Sequence, residues 1–153
     1  MSGIGDVRLW DAADSPRLVT MSDHITRIHA PEGVVEAPGY SNVVSGTGRM
    51  VFVAGQIARD ESGNLVGPGD FAAQAEQVFT NIGRCLTAAG ASFDDVVKVT
   101  YFLTDIRNIP LLRDALWSRI KPENRWASSA VQVSALFEPG FLLEVEAMAL
   151  VSE

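Results

Sequence analysis

Residues 124–151 read NRWASSAVQVSALFEPGFLLEVEAMALV. From Trp126 one register carries Trp126, Ser128, Ala130, Gln132 and Ser134, and the other carries Ala127, Ser129, Val131, Val133 and Ala135. Beyond Glu138-Pro139-Gly140 the alternation resumes, with Phe141, Leu143, Val145, Ala147, Ala149 and Val151 on one side and Leu142, Glu144, Glu146, Met148 and Leu150 on the other. A strand sends successive side chains to opposite faces. The stretch therefore predicts a hairpin with one apolar face. Its second face carries small hydroxyls, an amide and two carboxylates, and that composition asks for a role beyond core packing.

Working outward, 94–104 (DDVVKVTYFLT) is a near-continuous apolar run of strand length, expected to be buried on both faces. Upstream, Ala75, Val78, Phe79, Ile82, Cys85, Leu86 and Ala89 recur at helical spacing. Asp70 is placed to cap that helix, and Gly90 fits the left-handed stop after it. A second helix is predicted over 107–121, with Pro110 in its first turn and a stripe of Ile109, Leu112, Ala115, Leu116 and Ile120. Residues 23–31 read as a first strand. Residues 41–58 read as a hairpin turning at Gly46 and Gly48. Residues 59–70 are loop chemistry, dense in Gly, Asp, Asn and Pro.

The expected order is β-β-β-α-β-α-β-β, an α+β two-layer sandwich with two helices on one face of a mixed sheet. The helical stripes and the apolar hairpin face would meet in one core. The other sheet face, with Trp126, Leu142, Met148 and Leu150, is too apolar for free exposure, so a homo-oligomer is expected to cover it. Residues 1–22 are set apart as an N-terminal extension anchored by Trp10, and 23–153 form the domain.

The 153 residues suit one domain. Nineteen acidic residues against 12 Lys and Arg give a formal charge of −7, which disfavours a nucleic-acid partner, since that affinity rests on cations neutralising phosphates. A single cysteine, Cys85, rules out an intramolecular disulfide. No run approaches the ~20 apolar residues of a membrane span, and the first 20 residues lack a signal-peptide core. The expectation is a cytoplasmic protein without a membrane partner. His24 and His29, five apart on a strand, do not share a face, and no metal or cofactor motif is present.

With this order in hand, the chain resembles the reactive-intermediate deaminase (Rid, or YjgF-like) family, formerly called L-PSP endoribonuclease-like. The carriers are PGYSNVV (38–44), MVFVAGQIARDESGNLV (50–66), DFAAQAEQVFTNIGRCLTAAGASFDDVVKVTYFLTDI (70–106) and WASSAVQVSALFEPGFLLEVEAMAL (126–150). The resemblance implies a chorismate-mutase-like fold and a homotrimer with small-molecule clefts at the subunit interfaces. In the deaminating branch those clefts hydrolyse 2-imino or 2-enamino acids to 2-keto acids and ammonia. It also implies an arginine in an Ala-Arg-Ser-x-Val strand that grips the substrate carboxylate with its planar fork. Here that strand is Ala127-Ser128-Ser129-Ala130-Val131, with Ser128 in the arginine's place and Ala130 where a small residue or cysteine lies.

The resemblance assigns Glu144 to the cleft, where it positions or activates water; the alternative is an interface charge bonding a neighbour. Glu146, two residues on, carries the same two readings. Tyr40 either donates to substrate or caps a strand edge. Backbone groups at Gly55 and Gln56 line the pocket. Ser128 and Gln132 either hydrogen-bond an uncharged ligand or form a plain polar interface. Arg107, at the end of a strand, either replaces the missing positive charge or is a solvated loop residue. Arg125, three residues before Ser128, is expected to project to the opposite face. The leading expectation is a trimeric hydrolase of small imines or enamines with altered substrate recognition. The alternative is a metabolite-binding homotrimer without turnover. Ribonuclease activity is not expected of so acidic a chain.

Overall fold

The computed structural model describes residues 19–36 and 38–153, so the Trp10 anchor lies outside the described residues. The elements run β1 (Val19–Met21), β2 (Ile25–Ile28), β3 (Val43–Gly46), β4 (Arg49–Gln56), α1 (Phe71–Ala88), β5 (Val96–Leu103), α2 (Ile109–Trp117), β6 (Ala127–Gln132) and β7 (Leu143–Val151). The fold is α+β and chorismate-mutase-like, with two helices against a mixed sheet. One strand more than expected, β1, lies in the stretch assigned to the extension and pairs antiparallel with β2.

The strands form two ladders, β1-β2-β3 and β4-β7-β5-β6. Residues 41–58 are therefore not a hairpin: β3 pairs with β2, and β4 pairs with β7. Glycine makes this hand-over possible. A Cβ on Gly46 would stand 2.5 Å from the His24 carbonyl oxygen. One on Gly48, whose φ is +136°, would stand 2.4 Å from that of Val151. Arg27 ties the ladders together from a buried position. Its guanidinium donates to the carbonyls of Asp94 and Val96 at 2.7 and 3.3 Å, and burial lowers its pKa.

The last two strands are not a hairpin either. β6 pairs parallel with β5, and β7 pairs antiparallel with both β4 and β5. A parallel pair requires a crossover, and α2 supplies it between β5 and β6. The loop after β6 then carries the chain back across β5 to the slot beside β4. Strand β5 is central but not buried on both faces: Val96, Val99, Tyr101 and Leu103 face the core, while Lys98, Thr100 and Phe102 are half-buried on the other side.

The core lies between this sheet and the helices. It joins Val78, Phe79, Ile82 and Leu86 of α1, Leu112 and Ala115 of α2, and Leu143, Val145, Ala147 and Ala149 of β7. Asp70 caps α1 by accepting from the Ala73 amide at 3.0 Å. Gly90, at φ +71°, ends that helix in the left-handed region. Trp126, expected on the uncovered face, is instead buried in the core and donates its indole N–H to the Tyr101 hydroxyl at 2.8 Å.

Gln74, fully buried on α1, organises the approach to β7. Its amide donates to the carbonyls of Gly67 (3.1 Å) and Gly140 (2.9 Å), and its oxygen accepts from the Leu142 amide (2.8 Å). One side chain thus fixes the turn before α1 and the entry to the strand that carries both glutamates.

Candidate functional site

The register sorts the candidate residues onto two sides of the sheet. Ser128, Ala130 and Gln132 of β6 lie beside Val99, Tyr101 and Leu103 of β5, the core-facing side. Glu144 and Glu146 of β7 lie beside Phe102 and Thr100, the open side. The expected single face of hydroxyls, amide and carboxylates therefore does not form within one chain. Gln132 does not stand beside Glu144. It sits at the β5 terminus, where its side-chain oxygen accepts from the Ile106 amide at 3.0 Å.

On the open side, Glu144 lies over Gly55. The pairing of β4 with β7 shifts by one residue between Val53 and Gln56, a bulge that leaves Ala54 and Gly55 opposite Glu146. A Cβ on Gly55 would fall 2.0 Å from Glu144 Oε1, so only glycine admits the carboxylate at this place. The chain leaving the bulge is pinned by α1. Asn81 donates to the Ile57 and Arg59 carbonyls at 3.2 and 2.9 Å, and Gln77 donates to that of Arg59 at 3.3 Å. The Gln56 amide turns back on the Ala54 carbonyl at 3.2 Å. Among the described residues, neither Glu144 nor Glu146 forms an ion pair or side-chain hydrogen bond. Glu144 borders a hollow of about 250 Å³ walled by Phe102, Leu136 and Phe137. Phe137, 81% exposed, also flanks the adjoining groove of about 500 Å³ that contains Gly55 and Gln56. Glu146 instead borders a patch with Phe52, Lys98 and Met148. Lys98 Nζ donates to Ser129 Oγ at 3.0 Å.

On the helix side, Tyr40, Ser128 and Ala130 line a cavity of about 370 Å³ between α2, the 38–40 loop and β6. Arg125 lines it too, which corrects its expected opposite placement. The 3-10 turn at Pro122–Asn124 precedes it, and strand alternation begins only at Ala127. Arg113 of α2 joins the same wall. Sequence reading passed over Arg113; the signal was its place four residues after Ile109 and four before Trp117, on one helical ridge. Arg107 belongs to neither cluster. Its guanidinium folds onto Asp105 with contacts of 2.6–3.0 Å, which pull the Asp105 carboxyl down to about 2.

His29 and Ser41, both buried, make a structural pair: Ser41 Oγ lies 2.9 Å from His29 Nδ1 and donates to the Arg125 carbonyl at 2.5 Å. Burial lowers the His29 pKa. Among the described residues no cluster of three His, Cys, Asp or Glu could hold a metal ion.

The chain defines a two-layer α+β protein with grooves at both edges of its four-stranded sheet, and comparison with known proteins identifies the family. The Endoribonuclease L-PSP family model matches residues 30–151, and the chain belongs to that family, the Rid or YjgF-like proteins. It is 34% identical over 134 residues to the human 2-iminobutanoate/2-iminopropanoate deaminase, covering 85% of this chain and 93% of that protein. It is 40% identical over 111 residues to a RutC family protein of Pyrococcus abyssi, covering 72% and 84%. Among solved structures, the Rid-family protein YyfB of Yersinia pestis superposes with a TM-score of 0.72 at 32% identity, covering 79% of this chain and 95% of that one. RidA of an Antarctic Psychrobacter gives 0.63 at 35% identity, covering 80% and 94%. No helix among the described residues is long and apolar enough to cross a membrane.

Proposed function

We propose that this chain is a homotrimeric, cytoplasmic hydrolase of small imines or enamines, with its clefts between subunits. The observation that carries the reading is the Glu144 carboxylate, unpartnered and half-buried over Gly55 in a hollow with aromatic walls. A carboxylate so placed can hold a water and take its proton as the water attacks an imine carbon. Gly55, in the bulge, and Gln56, just after it, line the groove beside it. The names of the deaminase relatives support the same chemistry.

Two features support assembly. The open sheet face exposes Met50 (58%) and Phe52 (66%) together with Met148 and Val131, an apolar patch suited to contact with other copies. Within one chain Tyr40, Ser128 and Ala130 line the helix side at the β6 edge, whereas Gly55 and Gln56 lie at the opposite, β4 edge and Glu144 on the open side, so a cleft using both sets draws on two chains. In this reading Ser128 stands where a carboxylate-gripping arginine is expected, which shifts substrate choice away from 2-iminopropanoate. Glu146 and Gln132 frame the interface, and Arg107 stays with Asp105.

The test is a panel of small imines, enamines and cyclic amides given to wild type and Glu144→Gln side by side. Hydrolysis by wild type, reduced about 100- to 10,000-fold in the variant with binding within several-fold, supports the hydrolase. Binding without turnover in either protein establishes a metabolite-binding trimer instead.

A further inference from the structure

The helix-side cavity has a charge pattern that stands out against the rest of the chain. The protein carries 19 acidic residues, yet none lines this cavity, whereas Arg113, Lys121 and Arg125 do. Lys121 is already engaged, its Nζ 2.8 Å from Asp94 Oδ2. The two arginines are not: among the described residues neither forms an ion pair, and neither guanidinium donates a hydrogen bond. A concave, mostly apolar site with two uncompensated cations focuses positive potential inward and concentrates anions.

The remaining wall is apolar. Ile109, Leu112, Leu116 and Ile120 line it along α2 and its continuation, and Trp117 stands half exposed at its rim. Opposite them, β6 contributes only Ser128, Ser129 and Ala130, so the sheet side adds little bulk. The volume, about 370 Å³, lies in the range of roughly 300–1,000 Å³ typical of ligand pockets. A three-carbon acid would leave the α2 wall in water.

We infer that this cavity binds a carboxylate with an extended apolar body, its anionic end held by Arg113 and Arg125 and its chain laid along α2. The guanidinium fork matches a carboxylate in plane and spacing, and the apolar wall gains from each methylene it covers. The inference rests on the hydrolase reading above in so far as it names that site's substrate class: acids longer than 2-iminopropanoate, recognised by arginines that do not come from β6.

The experiment is calorimetric titration with hexanoate, hexanamide and propanoate, which separates charge from apolar length and requires no turnover. Hexanoate is expected to bind wild type at least tenfold more tightly than either other probe, and more weakly as salt rises. Arg113→Gln and Arg125→Gln are each expected to weaken hexanoate at least tenfold while leaving hexanamide within threefold. Arg113 is exposed and unbonded, so its variant keeps the fold and decides the matter alone if Arg125→Gln does not fold. Equal binding of hexanoate and hexanamide by wild type, or undiminished hexanoate binding by Arg113→Gln, would overturn the inference. The two readings fail separately. Arginine-dependent hexanoate binding without imine hydrolysis removes the hydrolase and keeps this site. Glu144-dependent hydrolysis with no preference for acid over amide does the reverse.

Discussion

Gly55 and Glu144 occupy space that only a glycine can share: a methyl group on Gly55 would lie 2.0 Å from Glu144 Oε1 and 2.8 Å from its Cδ. The β-bulge in β4 brings the backbone this close, and the carboxylate is the mobile partner. Gly55→Ala is therefore expected to displace the carboxylate rather than the strand. Misplacing a reacting group by about 1 Å costs on the order of 100-fold in rate. The expected outcome is a loss of that size in kcat, with a melting temperature within a few degrees of wild type. Unchanged kcat on a substrate the wild type hydrolyses would show that Glu144 need not sit against the bulge.

Ser128 offers the converse experiment. It lines the helix-side cavity with a short hydroxyl, and Ser128→Arg introduces a carboxylate fork. Hydrogen bonds between charged partners contribute about 1.5–3 kcal/mol, so 2-iminopropanoate hydrolysis, expected to be weak or absent in wild type, should rise roughly 10- to 150-fold. Keto-acid release after generating the imine with an amino-acid oxidase provides the measurement. Brisk wild-type turnover of 2-iminopropanoate would instead place short-acid recognition elsewhere on the chain.

Assembly has its own test in Phe52, which pairs across strands with Met148 on the open face. Light scattering coupled to size exclusion should give about three times the 16.5 kDa chain mass for wild type. Phe52→Asp places a charge in the proposed contact without touching the core, so the mass should fall toward that of one chain. Imine hydrolysis should fall with it, because in the proposed reading the clefts draw on two chains. A monomeric wild type that retained turnover would end the interfacial reading.

The fourth prediction concerns stability. Gln74, itself buried, makes three hydrogen bonds, to Gly67, Gly140 and Leu142. Gln74→Leu has similar volume but strands the Gly140 carbonyl and the Leu142 amide, while the Gly67 carbonyl keeps the Asp70 amide at 3.0 Å. Unpaired buried polar groups cost about 1–3 kcal/mol each, and the Gly67 turn and the 140–142 entry to β7 can relax partly toward water. A net loss of about 3 kcal/mol is expected in urea unfolding. A change below about 1 kcal/mol would mean that the turns find other partners.

The sequence alone determined what is local. The α1 stripe, the Asp70 cap and the Gly90 stop depend on 3.6-residue periodicity and on the chain next to them, and they stand where the residues placed them. So does the alternation of β7, whose odd-numbered positions from Leu143 to Ala149 fill the core. Motifs spread over most of the chain were enough to indicate the family. Tertiary structure alone decided which faces coincide. Alternation says that Ser128, Ala130 and Gln132 share one face of β6, but not which side of the sheet that face meets. The β5–α2–β6 crossover and the insertion of β7 beside β5 set that relationship, putting Ser128 on the core side and Glu144 on the open one. Arg125 escaped the period-2 rule because it precedes the strand. The pairing of Gly55 with Glu144 came from residues 89 positions apart, brought together by a one-residue bulge that no local pattern announces.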